Sequence, residues 1–247
     1  MTRSYDPRII TGKSVLMQQV AAYARAGYFY ALRGTVPLSR AALFVRKFRD
    51  IYVVHLNKDQ RYRRKRAGLG NAVLMLWRHD RDVPELTWVL MVTDGDHPAH
   101  TLEPRLRDLR KHDERFELTG YELVQITRSG ARAPSWTWRL TEEGYGAWRT
   151  RIVRAVRQNN DMEARQAWYS MHQAPGFAPV RAQTKRLIRL MRAEWARRRA
   201  TGFPFGPTKL FYLARLPVRT VPLAVLLAAE AVARPRRESG PTSQPSV

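Results

Sequence analysis

Asp94-Gly95-Asp96-His97-Pro98-Ala99-His100 places two carboxylates and two imidazoles in seven residues, directly after an apolar run. Carboxylate oxygens and imidazole nitrogens are ligands for Mg²⁺, Mn²⁺ and related divalent ions, so Asp94 and Asp96 are the candidate metal ligands and His97 and His100 the candidate catalytic imidazoles. The plainer reading of the same residues is a polar surface turn. Phosphodiester cleavage also has a metal-free route, which needs a His or Tyr base, an Arg or Lys facing the phosphorane and a cationic groove. His55, close in sequence to Lys58 and to a run of arginines, is the base for that route, whereas Tyr145 is the nominal nucleophile of the metal-dependent one. No cofactor is expected beyond Mg²⁺ or Mn²⁺, and those only if the chain is an enzyme. The sequence leaves that question open.

The arginine run is the strongest binding signal. Arg61-Tyr62-Arg63-Arg64-Lys65-Arg66 carries five cations in six residues, with Gly68 and Gly70 just beyond it. It reads as a flexible loop anchored to a buried strand, with its cations on phosphates, Tyr62 free to stack on a base or sugar, and glycines permitting close backbone approach. A second set, Arg181, Lys185, Arg189 and Arg192, recurs at spacings of four, four and three and therefore lines one face of a helix.

Composition supports the same partner. With 44 Lys and Arg against 21 Asp and Glu, the chain of 247 residues carries a formal charge of +23. Such an excess self-repels in a compact state and is neutralised by a polyanion, first of all nucleic acid, whose counterions are released on binding. GC-rich coding also raises the arginine count. An anionic membrane surface is the second candidate partner, since a basic amphipathic helix and apolar C-terminal segments suit one. The longest apolar tract, Val221 to Ala233, contains Glu230 and is too short to span a bilayer. Met1 to Lys13 is polar and broken by Pro7, so no leader is expected and a cytoplasmic setting is. The absence of cysteine excludes disulfides, thiolate zinc sites, iron–sulfur clusters and cysteine nucleophiles.

These residues need elements to hold them, and the patterning predicts an α+β fold: a mostly antiparallel sheet flanked by helices over residues 13–140, then an arginine-rich helical part. Residues 1–12 read as a flexible arm, 141–233 as a helical basic region packed on the sheet domain and 234–247 as a disordered tail. Helices are expected at Lys13 to Ala26, at Arg40 to Asp50 with Ser39 as cap, at Leu102 to Lys111, at Glu142 to Gln158, at Met162 to Met171 and at Val180 to Ala200. Two short ones should follow near Lys209 to Leu216 and Pro222 to Ala233. Strands are expected at Tyr28 to Arg33 and Ile51 to Leu56. The apolar runs Ala72 to Trp77 and Leu86 to Thr93 lack a polar face and read as central strands. Tyr121 to Thr127 and Ser135 to Leu140 read as a hairpin about Ser129-Gly130. Ten of the 21 carboxylates fall between Asp80 and Glu117, so charge is unevenly distributed.

Trp136-Thr137-Trp138-Arg139-Leu140-Thr141-Glu142-Glu143-Gly144 resembles the exit from the wing of winged-helix DNA-binding domains, where the last strand runs into a helix. That resemblance covers about 40 residues. It implies Arg128 and Arg132 as wing-tip residues touching DNA and the segment Leu102 to Lys111 as recognition helix. An ordinary strand-to-helix junction capped by Thr141 explains the same residues. Nucleases that form a covalent tyrosine link place two histidines on one strand with a single residue between them. His97 and His100, three apart and interrupted by Pro98, do not meet that pattern. A carboxylate pair after an apolar strand is similar to the way polymerase-like and primase-like palms hold metal, with Asp94 and Asp96 in that role. Thr11-Gly12-Lys13-Ser14 lacks the glycine five residues before Gly12 that a phosphate loop requires, and is read as a helix start.

The expectation is a nucleic-acid-binding protein, DNA or RNA, acting as an accessory component of a replication, transfer or RNA-processing assembly and meeting other proteins there. A nuclease or replication initiator is the alternative, and a peripheral membrane or scaffold protein the third.

Overall fold

The computed structural model describes residues 5–80, 82–127, 130, 132–206, 210 and 216–238, and its fold is mixed α+β. In chain order the elements are β1 (Arg8–Ile10), α1 (Lys13–Arg25), β2 (Tyr30–Pro37), α2 (Ala41–Tyr52), α3 (Lys58–Arg66), β3 (Ala72–Trp77), β4 (Glu85–Val92) and α4 (Ala99–Leu102). Then come β5 (Arg107–Asp108), β6 (Glu117–Leu118), β7 (Tyr121–Ile126), β8 (Ser135–Leu140), α5 (Glu142–Arg157), α6 (Asp161–His172), α7 (Ala178–Arg198), β9 (Thr220–Pro222) and α8 (Leu223–Glu238). They form two compact units interleaved along the chain. Residues 5–16, 30–106 and 217–238 make the first and residues 17–29 and 107–216 the second, so the boundary expected at residue 140 falls inside the second.

In the first unit the strands lie in the order β2-β4-β3-β1-β9. β4 is antiparallel to both β2 and β3, β1 runs parallel to β3 with Ile9 opposite Leu76, and β9 closes antiparallel on β1. The runs without a polar face are indeed the central strands, because α2 packs its Ala41, Val45, Phe48 and Tyr52 against the sheet. Trp88 of β4 meets the rings of Phe44 and Phe48, each at 5.3 Å. Its indole lies over Gly34, where a Cβ would come within 2.6 Å of the ring. Gly34 is therefore a seat for Trp88, and β2 runs straight through it to Pro37.

Several expectations are corrected here. Residues 8–10, assigned to a flexible arm, are a sheet strand, with too few residues to show alternation. Ile51 to Leu56 is no strand: the helical repeat 41, 45, 48, 52 carries α2 on to Tyr52, and Val53 ends it in the left-handed region at φ 52°. Ser39 lies in a 3₁₀ turn and does not cap α2. The arginine segment is not a flexible loop but α3. The recognition helix expected at Leu102 to Lys111 does not form. Pro104 disfavours helical backbone in the residue before it, Glu103 sits at φ −113° and ψ 88°, and the chain passes through turns to β5. This removes the winged-helix reading. α8 runs past Arg234 to Glu238, and residues 239–247 lie outside the described ones, as does most of the helix expected near Lys209 to Leu216.

The second unit holds the antiparallel sheet β6-β7-β8 and the helices α5, α6 and α7. The hairpin forms from the two expected strands, with Leu123 opposite Trp138. Thr141 caps α5, its Oγ1 accepting from the Gly144 N–H at 2.9 Å. Glu122, buried on β7, accepts from Arg115 and Arg139 at 2.8 and 2.6 Å.

Candidate nucleic-acid interface

α3 explains itself residue by residue once it is seen as a helix. Asn57 and Gln60 form a capping box, each side chain bonded to the other's backbone N–H. Asp59 stands in the first turn and Arg63, Arg64, Lys65 and Arg66 in the last, the arrangement the helix dipole favours. At the far end Gly68, at φ 74°, allows a Schellman closure: its N–H reaches the Lys65 carbonyl and the Leu69 N–H reaches that of Arg64. The signal that identifies this helix in the sequence is Asn57-x-x-Gln60; the charge density and the glycines hide it.

No residue of α3 is buried. It is fastened by polar bonds. Arg61 Nε donates to the Leu56 carbonyl at 2.9 Å, Arg64 donates to the Gly70 carbonyl at 3.0 Å, and Asn71 Nδ2 donates to the Arg61 carbonyl at 3.0 Å. These two half-buried arginines hold the helix, while Tyr62, Arg63, Lys65 and Arg66 are exposed. Among the described residues no carboxylate pairs with Arg63, Lys65 or Arg66. Arg46 and Lys47 of α2 and His55, in the turn between the two helices, are exposed as well. Residues 40–66 thus hold ten Lys and Arg against Asp50 and Asp59.

Gly70, just after α3, and Gly95 serve close approach, but to the protein's own chain. Asp96 accepts from the Gly70 N–H at 2.8 Å, and the Asp96 N–H donates to the Gly68 carbonyl at 3.2 Å. A Cβ on Gly95, at φ 105°, would lie 2.7 Å from the Gly68 oxygen, and one on Gly70 would lie 2.8 Å from His97 Cβ. The acidic turn and the arginine segment, separate in the sequence, are therefore one packed structure.

That packing accounts for the candidate catalytic residues. His97 is buried, with Nδ1 accepting from the Ala99 N–H and Nε2 facing the Tyr52 carbonyl, each at 3.2 Å, so the ring is the neutral Nε2–H tautomer. His100 Nε2 lies 3.1 Å from the Thr93 carbonyl and its ring meets Tyr30 edge-on. Asp94 accepts from the Tyr30 hydroxyl at 3.2 Å, and Asp96 is exposed. Tyr52, whose hydroxyl donates to Glu103, has its pKa raised by burial and by that bond. Among the described residues, no three His, Asp or Glu side chains group as metal ligands. Tyr145 belongs to the second unit, in a cleft of about 560 Å³ shared with Arg115, Glu122 and Arg139.

Burial lowers the His97 pKa, opposed by its bond to the Tyr52 carbonyl and reinforced by the nearby charges of Arg64 and His100. The folded value lies below the ordinary 6.5, so at lower pH the unfolded chain binds the proton more readily. Stability present above that pH is lost as pH falls through it toward the folded value. Thermal melts from about pH 7.5 to about pH 5.5 should show a fall in midpoint that is smaller in His97→Gln.

In the second unit α7 forms close to its expected bounds and buries Val180, Leu187, Ile188, Met191 and Trp195. Its cations are less uniform than their spacing implied. Lys185, Arg186 and Arg189 are exposed, Arg181 is half-buried, and Arg192 lies over the Phe203 ring and donates to the Gly206 carbonyl. Three arginines of α5 are paired instead, Arg151 and Arg154 with Glu163 and Arg157 with Glu194, while Arg149 is exposed. Arg132 is exposed, and Arg128 lies outside the described residues. No helix among the described residues is long and apolar enough to cross a membrane.

No protein-family model, curated protein or solved structure matches the chain.

Proposed function

We propose that this chain binds nucleic acid through its phosphate backbone, with Arg63, Lys65 and Arg66 of α3 as the principal grip and Lys185, Arg186 and Arg189 of α7 as a second set. Its setting is the cytoplasm, as an accessory component of a replication, transfer or RNA-processing assembly. One observation carries the reading. α3 has six cations in nine residues, buries none of its side chains, and is held in place by bonds that leave the outward cations free of carboxylates among the described residues. Such a helix repels itself in water, and phosphates along its outer face relieve that repulsion.

The test is a binding titration against oligonucleotides over a range of salt concentrations. Arg63→Ala/Lys65→Ala/Arg66→Ala should bind more weakly and lower the slope of log affinity against log salt by about 2 to 3, close to one per lost phosphate contact. An unchanged affinity and slope would remove α3 from the interface.

A further inference from the structure

We infer that Tyr62 is a stacking platform for an unpaired base, so that the nucleic acid crossing α3 is single-stranded there. The inference rests on the binding role proposed above and adds the class of ligand. At 3.6 residues per turn, Arg61 and Arg64 fall on one side of α3, and both donate to carbonyls of their own unit. The opposite side carries Tyr62, Arg63 and Arg66. Tyr62 is 62% exposed and has Arg66 one turn further along the same face.

An aromatic ring set among outward guanidinium groups is matched by only some polyanions. The face of a tyrosine ring is the negative side of its quadrupole, so it gains nothing against the phosphates that line the outside of a duplex. A single strand offers both groups at once: phosphates to Arg63 and Arg66, and the π-face of an unstacked base to the ring. Stacking of this kind tolerates any base, so the site should show little sequence preference.

Fluorescence anisotropy with a labelled single-stranded oligonucleotide and the matching duplex tests this on the full chain. Tyr62→Ala should weaken single-strand binding about tenfold or more, leave duplex binding unchanged and retain the wild-type circular dichroism spectrum. Tyr62→Phe, which keeps the ring, should bind as wild type. Loss of single-strand and duplex affinity in equal measure, or no loss in Tyr62→Ala, would overturn the stacking role while leaving the phosphate grip intact. Failure of the wild-type chain to bind either probe would overturn both.

Discussion

Replacing Gly95 by alanine is expected to cost about 3 kcal/mol of stability and to loosen α3 from the sheet. Two costs combine. The backbone at φ 105° is one that L residues rarely adopt, and the new methyl would sit 2.7 Å from the Gly68 oxygen and 2.8 Å from the Gly70 nitrogen. Neither atom can retreat easily, because both take part in the hydrogen bonds that join Gly68 and Gly70 to Asp96. Gly27 supplies the control. It has φ 95°, yet a methyl group there would meet nothing within 4 Å, so Gly27→Ala should show the conformational cost alone, about 1 kcal/mol. Urea unfolding of the two variants separates the terms, and equal losses would refute the steric one. Gly95→Ala should also weaken oligonucleotide binding, because the arginines lose the platform that aims them.

The second large effect lies in the other unit. Trp138→Ala should destabilise by about 4 kcal/mol. The side chain is fully buried, packs edge-on against Phe116 at 6.2 Å, and donates from Nε1 to the Met17 carbonyl at 2.8 Å. Trp138→Phe keeps most of the apolar volume and removes the donor, so its cost should be nearer 1 kcal/mol. If the two variants fall equally in denaturant midpoint, the hydrogen bond and not the packing dominates.

The elements that the sequence made legible are those with long, unambiguous periodicity. Ala72 to Trp77 and the run ending at Val92 are buried on both faces and read as such, and the helices from Glu142 onward carry their apolar stripes openly. Short or locally ambiguous elements escaped. β1 has three residues, α3 has no apolar residue apart from Tyr62, and the β-branched stretch after Asp50 was claimed by the helix preceding it. The arginine cluster was visible as chemistry before its conformation was. Its attachment to the Asp94–His97 turn was not visible, because Leu69 and Asp96 pair across 27 positions of sequence and no local pattern encodes that bridge. Long-range packing likewise gives His97 the Tyr52 carbonyl as a partner, 45 positions away, and a structural role that the acidic turn around it does not suggest.

β1 sits between β3 and β9, with the Pro7 carbonyl accepting from the Leu223 N–H at 3.0 Å and Asp6 accepting from that of Ala224 at 3.2 Å. A polypeptide emerging from the ribosome therefore carries an uncovered strand edge at Arg8–Ile10 until more than 200 further residues have been polymerised. During that interval Ile9 and Leu76 lack the apolar lid that Leu223 later provides. Nascent chains stalled short of Thr220 should be chaperone clients, prone to pair edge to edge with one another.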